Sequence, residues 1–298
     1  MEDLLVDRVI QGKVAARHVR DEVLHEVEAL QKLGVQPHVC FVRVGDDPAS
    51  AIYVNAKERA CSWVHVASTH IHLPASTTVA ELEATIDDLN ADDSVDGILI
   101  QLPLPPSFPD KQILNRIKPE KDVDGFHPQN LGGVMAGRGP LEPCTPGGVI
   151  RLMQLLDLHP RGAHAVVVGR SVVVGRPMTN MLLRADATVT CCHRYTASLE
   201  HYVRDAEIVV VAAGVPGLVK GHWFREGAWV FDVGSTRMPD GTIHGDVEYE
   251  VALELGRIAG ITPVPGGIGP MTIAMLLHNT IVAAKLRRGL MEYTLKRA

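Results

Sequence analysis

No apolar run in this chain can cross a bilayer. The strongest, Ala165 to Val168 and Ile208 to Ala213, break off at glycine or charge well short of the roughly 20 residues a spanning helix needs. There is no basic block, and the net charge is −6, which argues against nucleic acid as the main partner because phosphate neutralisation dominates that affinity. Cysteine is scarce and odd in number: Cys40, Cys61, Cys144, Cys191 and Cys192 show neither the repeated Cys-x-x-Cys pairs of a zinc site nor a disulfide framework. They read as reduced, mostly buried fillers. The 14 histidines are scattered, and His70 with His72 alternate onto one face of a strand rather than forming a helical His-x-x-x-His pair, so no metal site is expected. Export is not expected either, since Met1-Glu-Asp-Leu-Leu-Val-Asp7 is acidic at once and has neither the basic start nor the apolar stretch of a secretory signal, and a cytoplasmic location is the expectation.

What is present is apolar material, 46% of 298 residues, enough to fill two cores without metals or disulfides. The expected partner is a small molecule. Val14, Val19, Val23, Val27, Leu30 and Leu33 recur at helical spacing and Gly34 is a natural stop, so a helix precedes the first strand, His38 to Gly45. A polar turn, Asp46-Asp-Pro-Ala-Ser50, starts a second helix near Ser50 that places Tyr53 and Lys57 one turn apart on one face. His65 to Leu73 reads as a strand and Ser76 to Asn90 as a helix with Thr77 or Thr78 near its cap. Asp96 to Pro105 reads as a buried strand ended by prolines. Alternating strands and helices imply a parallel sheet, whose ligands gather at the carboxyl ends of strands, where Gln101 falls.

Thr145 is a plausible cap, and Pro146 a first helical residue, for a helix opening after Pro143. A domain boundary is expected here, with four apolar strands beyond it, at about Ala165 to Val168, Thr188 to Cys192, Ile208 to Ala213 and Val230 to Val233. The last helix, Pro270 to Leu290, is expected to return to the first domain. The fold class is therefore α/β with two domains and a cleft between them. An N-terminal parallel-sheet domain covers 1–144 plus 269–298, and a Rossmann-type domain covers 145–268.

The candidate nucleotide seat is the turn Gly169-Arg-Ser-Val-Val-Val-Gly175, where a strand meets a helix and free N–H groups with a positive dipole end suit phosphate. Pro177 fits the first helical turn. Gly-x-Gly-x-x-Gly is incomplete, because Ser171 occupies the middle glycine position, and a bare turn in a parallel sheet remains open. The next strand ends in Cys192-His-Arg-Tyr-Thr196, which puts Arg194 where an NAD enzyme usually has an acid for the ribose hydroxyls. Arg170, Arg194 and the hydroxyls of Ser171 or Thr196 suit a 2′-phosphate, so NADP is predicted over NAD. The plainer alternative is that both arginines are solvated surface charges. Lys57, on spacing alone, is more often a surface residue; reactivity requires desolvation or polar neighbours, of which Gln101 is one candidate. Asp122 and Asp124 read as a carboxylate site or as a turn.

Several motifs in order, Tyr53-x-x-x-Lys57, Gly97 to Pro105, Lys121-Asp-Val-Asp-Gly-Phe-His127, Pro143-Cys-Thr-Pro146, Gly169-Arg-Ser171 with Val174-Gly-Arg-Pro177, and Pro263 to Thr272, carry a resemblance. The chain resembles the bifunctional methylenetetrahydrofolate dehydrogenase/methenyltetrahydrofolate cyclohydrolase family over nearly its whole length. The resemblance implies NADP-dependent oxidation of 5,10-methylenetetrahydrofolate, then hydrolysis of the methenyl cation to 10-formyltetrahydrofolate. It makes Lys57 the catalytic lysine and gives Gln101 the tuning of its proton affinity. Tyr53 then stacks near the pterin and Asp124 anchors the amino-pyrimidine edge. The folate side is expected along Tyr53, Val54, Asn55, Ala56 and Lys57, along Ile100, Gln101 and Leu102, and along Pro265, Gly266, Gly267, Ile268, Gly269, Pro270, Met271, Thr272 and Ile273. The cofactor side is expected along Gly169, Arg170, Ser171, Val174, Gly175, Arg176 and Pro177, with His193, Arg194, Thr196 and Ser235. A homodimer is implied as well. The sequence departs from the family's usual pattern at Ser62 to His65, where a glycine is commoner, and at Ser235-Thr236, where Ile-Asn is frequent. The competing readings are a monofunctional NAD(P)-dependent dehydrogenase and a catalytically silent nucleotide binder.

Overall fold

The structure, a computed structural model, describes residues 4–291. The chain opens with two short strands, β1 (Leu5–Val6) and β2 (Val9–Ile10), followed by α1 (Gly12–Lys32). Then β3 (His38–Val44), α2 (Pro48–Trp63), β4 (Ala67–Leu73), α3 (Val79–Ala91) and β5 (Gly97–Ile100) alternate. Helices α4 (Asp110–Arg116) and α5 (Pro128–Met135) lead to α6 (Cys144–Leu155). A second alternation follows: β6 (His164–Val168), α7 (Gly175–Arg184), β7 (Thr188–Cys192), α8 (Leu199–Arg204), β8 (Ile208–Val211) and β9 (Trp229–Asp232). A hairpin of β10 (Thr236–Arg237) and β11 (Ile243–His244) precedes α9 (Tyr249–Leu255), β12 (Gly260–Ile261) and α10 (Ile268–Arg287).

Contacts divide the chain into two compact units: the segment up to His18 with Thr145–Thr272, and Val19–Cys144 with the chain from Ile273 onward. The expected division, 1–144 plus 269–298 against 145–268, differs from this for the first residues and for the start of the last helix. The N-terminal difference has a hydrogen-bonded cause: β1 and β2 form a hairpin, and β2 pairs in parallel with β12 through Val9 and Ile261.

The unit that holds Lys57 is built on a three-stranded parallel sheet in the order β4-β3-β5. Side chains alternate across it. Cys40, Val42, Val44, Ile98 and Ile100 enter one core with Leu82, Ile86 and Leu89 of α3, while Gln101, next in sequence, belongs to the other face. Helix α3 starts in a reciprocal cap, Thr78 accepting from Glu81 N–H while the Glu81 carboxylate accepts from Thr78 N–H. Helix α2 starts earlier than expected, because Asp47 rather than Ser50 is its cap: the Asp47 carboxylate accepts Ser50 N–H at 2.7 Å, and Pro48 takes the first turn, where no N–H is needed. Strand β4 likewise begins at Ala67, not His65, whose φ of 58° is left-handed.

The end of α10 is tied to this unit by charge. Asp96, fully buried, accepts from Arg287 at 2.9 Å, from Arg288 and from His38 N–H at 3.1 Å. Removing one partner of a buried pair leaves the other uncompensated, so Asp96→Ala is expected to cost about 3 kcal/mol of unfolding free energy. A urea midpoint unchanged by that substitution would show that the two arginines do not depend on Asp96.

The other unit carries a seven-stranded sheet in the order β1-β2-β12-β9-β8-β6-β7. Strands β6, β8 and β9 are covered on both faces, which is why they read as short apolar runs, valine-rich in β6 and β8 and aromatic in β9. Val166, Val168, Val209, Val211, Val230 and Ile261 share its core. Strand β7 is the outer strand, and Cys191 on it is exposed while the other four cysteines are buried. Because the chain moves from β6 to β7 on one side and later to β8 on the other, the order reverses at β6, the position where doubly wound sheets bind ligands. Helix α6 starts at Cys144, one residue ahead of its expected cap, and the Thr145 hydroxyl lies 3.1 Å from that of Thr272 instead. Among the described residues no helix is long and apolar enough to cross a membrane.

Candidate active site

Lys57 Nζ donates to Gln101 Oε1 at 3.0 Å. Gln101 is held for this contact from both ends of its residue: its N–H donates to Val42 O at 2.8 Å, continuing the sheet, and its side-chain amide donates to Leu102 O at 2.6 Å. The amide orientation is thereby set, oxygen toward lysine. Burial holds the Lys57 ammonium below the ordinary lysine range, against the opposing pull of Asp124 and the thiols of Cys144 and Cys61. Asp124 answers in kind. Burial, aided by Asp122, pushes its carboxyl up to about 6 against Lys57 and a Cys144 hydrogen bond. Desolvation thus moves both members of a potential ion pair toward their neutral forms.

Asp122 and Asp124 have different work. Asp122, 2% exposed, accepts Gly125 N–H at 3.1 Å, His127 N–H at 2.7 Å and the Asn130 amide at 2.9 Å, so it builds the loop. Asp124 is fixed through its backbone, Cys144 N–H donating to its carbonyl at 3.3 Å. Asn279 of α10 then bonds Val123 O at 2.9 Å and Glu142 O at 2.8 Å, binding both sides of that junction.

Not every expected substrate residue shares the lysine's face. Tyr53, 46% exposed, lies one turn before Lys57, but Val54 is fully buried and Asn55, two residues from both Tyr53 and Lys57, cannot face with them. Ile100 points into the core, leaving only its backbone beside Gln101. The glycine-proline loop, Pro265 to Thr272, belongs to the nucleotide unit, whereas Ile273 belongs with Lys57. Within that loop Gly266 has φ +111°, and a Cβ on Gly267 would lie 2.6 Å from Pro263 O, so both glycines are required by the turn. Ile268 and Met271 are buried, and Gly269 faces open space.

The nucleotide turn is a place of bare backbone. Gly169 has φ +129° and a Cβ there would lie 2.1 Å from Ala212 O; a Cβ on Gly175 would lie 2.1 Å from Gly169 O. Ser171 takes a role the sequence reading did not assign: its hydroxyl accepts N–H from Val174 at 3.1 Å and Gly175 at 3.3 Å, capping α7 in place of Val174, which has no side chain to do so. Thr196 Oγ1 similarly accepts His193 N–H at 2.9 Å and closes the turn after β7. Tyr195 is the residue sequence reasoning missed. Its ring lies 5.6 Å from the Arg170 guanidinium and 4.8 Å from that of Arg194, and its hydroxyl accepts from Arg194 at 2.8 Å. The available signal was an aromatic residue next to Arg194. Two guanidiniums gathered on one ring, with no carboxylate between His193 and Ser198, fit the 2′-phosphate of NADP and suit a bare ribose poorly. Ser235 is exposed, just past the end of β9.

The chain matches known proteins over nearly its whole length. Residues 10–124 match the family model described as tetrahydrofolate dehydrogenase/cyclohydrolase, catalytic domain, and residues 143–288 match its NAD(P)-binding domain. The bifunctional protein FolD of Anaeromyxobacter dehalogenans is 52% identical over 278 residues, 93% of this chain and 98% of that protein. The crystal structure of the bifunctional FolD methylenetetrahydrofolate dehydrogenase/cyclohydrolase of Campylobacter jejuni superposes with a TM-score of 0.89 at 44% identity, over 93% of this chain and 98% of that one. The Trypanosoma brucei FolD, complexed with NADP cofactor and inhibitor, gives 0.89 at 36% identity, over 97% and 99%. The chain belongs to the tetrahydrofolate dehydrogenase/cyclohydrolase family.

Proposed function

We infer that this chain catalyses two successive steps on one folate: NADP-dependent oxidation of 5,10-methylenetetrahydrofolate to the 5,10-methenyl cation, and hydrolysis of that cation to 10-formyltetrahydrofolate. The observation that carries this reading is the hydrogen bond between Lys57 and Gln101 in a setting that lowers the lysine's proton affinity. Bound NADP⁺ supplies the hydride acceptor for the first step. Its binding falls to the turn at Gly169 and Gly175, to Arg176 and Pro177 in the first turn of α7, and to Arg170 and Arg194.

The second step belongs to the chain's own side chains. A charged lysine beside a cationic substrate is unfavourable, and a neutral one relieves the conflict. Neutral Lys57, aimed by Gln101, takes a proton from water as the water oxygen bonds to the methenyl carbon. The bond from that carbon to N5 then breaks and N5 gains a proton. Cation plus water becomes 10-formyltetrahydrofolate plus one released proton. Asp124 receives the amino-pyrimidine edge of the pterin, Tyr53 stacks beside it, and the loop from Pro265 to Thr272 lines the folate. The same reading makes the enzyme a cytoplasmic homodimer, a stoichiometry that light scattering reads directly.

The test is an assay of the purified chain with methylenetetrahydrofolate and either NADP⁺ or NAD⁺, following reduced nucleotide and methenyl species at their separate absorbances. Reduced nucleotide is expected to form with NADP⁺ preferred, without methenyl build-up. Methenyl accumulating mole for mole with NADPH would leave only a dehydrogenase. NADP⁺ binding without turnover of either folate would leave a silent binder.

A further inference from the structure

The carboxyl edge of the nucleotide unit's sheet carries positive charge over β6 and β7 and negative charge over the neighbouring central strands β8 and β9. Arg170, Arg194 and the start of α7 lie at the ends of β6 and β7. At the ends of β8 and β9 lie two buried aspartates that phosphate binding does not use. Asp232, the last residue of β9 and 2% exposed, accepts N–H from Gly234 at 2.9 Å, Asp246 at 3.0 Å and Val247 at 2.9 Å. Asp246 is fully buried; its Oδ2 accepts N–H from Ala213 at 2.6 Å and Gly214 at 2.8 Å, just past β8, while its Oδ1 has no hydrogen-bond partner at all.

The surroundings offer these carboxylates peptide dipoles and no counter-charge. A Cβ on Gly234 would lie 2.4 Å from Asp246 Cγ, and one on Gly245 would lie 2.1 Å from Asp232 Oδ2, so bare backbone is packed against both. No lysine, arginine or histidine forms an ion pair with either aspartate among the described residues. Burial, with Asp246 adding to it, pushes the Asp232 carboxyl up to about 6, which still leaves it largely ionised near neutral pH. A buried oxygen without a donor in a water-poor site is costly, and such a cost persists where a ligand relieves it.

A dinucleotide whose phosphates occupy the turn at Gly169 and whose 2′-phosphate meets Arg170 and Arg194 continues along the same edge over β8 and β9. Its remaining half is the nicotinamide, a cationic ring in NADP⁺ and a neutral one in NADPH. We propose that Asp246 and Asp232 place an uncompensated buried negative charge beneath the nicotinamide half, so that this chain binds NADP⁺ more tightly than NADPH. The inference rests on the NADP reading above. Its consequence is that the oxidised nucleotide displaces the reduced product, which favours turnover in the oxidative direction.

Titration calorimetry on the wild-type chain, Asp246→Asn and Asp232→Asn, each with NADP⁺ and with NADPH near neutral pH, tests it. Wild type is expected to bind NADP⁺ the more tightly. Asp246→Asn, which keeps an acceptor for Ala213 and Gly214 but removes the charge, is expected to weaken NADP⁺ by about five- to tenfold and NADPH by less than about twofold. Equal weakening of both nucleotides would mean that Asp246 only holds the loop and would overturn the proposal, as would a wild type that binds NADPH as tightly as NADP⁺. Circular dichroism checks the fold, and if the first variant fails to fold, Asp232→Asn, which gives up the Val247 N–H bond but keeps an acceptor for Gly234 and Asp246, removes the neighbouring charge. A wild type that binds neither nucleotide overturns the NADP reading and this inference together; one that binds both, with a ratio unmoved by the substitutions, overturns this inference alone.

Discussion

Methenyl hydrolysis is expected to fall by about a thousandfold in Lys57→Met, within the range a positioned general base contributes. Methionine keeps most of the lysine's length and apolar stem but offers no site for a proton, so Gln101 Oε1 loses its donor and water loses its base. Folding is not expected to suffer, because the substitution replaces a group that burial already disfavours in its charged form. Oxidation of methylenetetrahydrofolate depends chiefly on alignment of the two rings and is expected to fall far less. The pH dependence follows from the direction of the shift. Burial lowers the proton affinity of Lys57, and the neutral amine is the working form, so hydrolysis rises as pH rises through a titration below the ordinary lysine range and then levels. That rise is expected to vanish in Lys57→Met. Hydrolysis retained within a few fold by the variant, or a wild-type rate that climbs only near the pKa of a free lysine, would remove Lys57 from the role of base.

How much of this was legible in the sequence depends on how local each determinant is. The Thr78–Glu81 cap, the apolar runs of β6, β8 and β9 and the i, i+4 spacing of Tyr53 and Lys57 are written in short stretches, and the structure has them where the sequence suggests. The first hairpin was not legible, since β1 and β2 have two residues each, too few for alternation to register. Their turn passes through Asp7 and Arg8 at positive φ rather than a glycine, and their sheet partner β12 lies some 250 residues away in sequence. Competition between neighbouring caps hid another boundary: Asp47 and Ser50 are both good cap residues, and only the chain path makes one the acceptor and the other the donor. At the site, Gly169 and Gly175 stood out because a turn pressed against backbone excludes any side chain. The Lys57–Gln101 contact joins residues 44 positions apart; the residues alone offered Gln101 as one candidate neighbour, and the family resemblance paired the two. Tyr195 gathers an arginine from its own turn and another from the turn after β6, and Asp246 turns its carboxylate inward onto residues 32 and 33 positions before it. Meetings of that kind exist only once the sheet has formed.

The double substitution Arg170→Ala with Arg194→Ala is expected to raise KM for NADP⁺ by about a hundredfold while leaving that for NAD⁺ within about twofold, erasing the preference between them. Each charge-assisted hydrogen bond to phosphate contributes about 1.5–3 kcal/mol, and a hundredfold corresponds to about 2.7 kcal/mol, so two arginines that share one phosphate are sufficient. The single variants are expected to lose less than half of the total effect each, because the remaining guanidinium stays on the Tyr195 ring and can re-aim at the phosphate. Both arginines and Tyr195 are exposed, so removing the charges leaves the core intact and methenyl hydrolysis, which uses no nucleotide, reports on the fold in the same sample. Steady-state kinetics with the two nucleotides decides the matter. A loss shared equally by NADP⁺ and NAD⁺ would place the arginines on the part common to both molecules, the pyrophosphate, and would leave the cofactor preference to be explained by the turn at Gly169 rather than by charge at the end of β7.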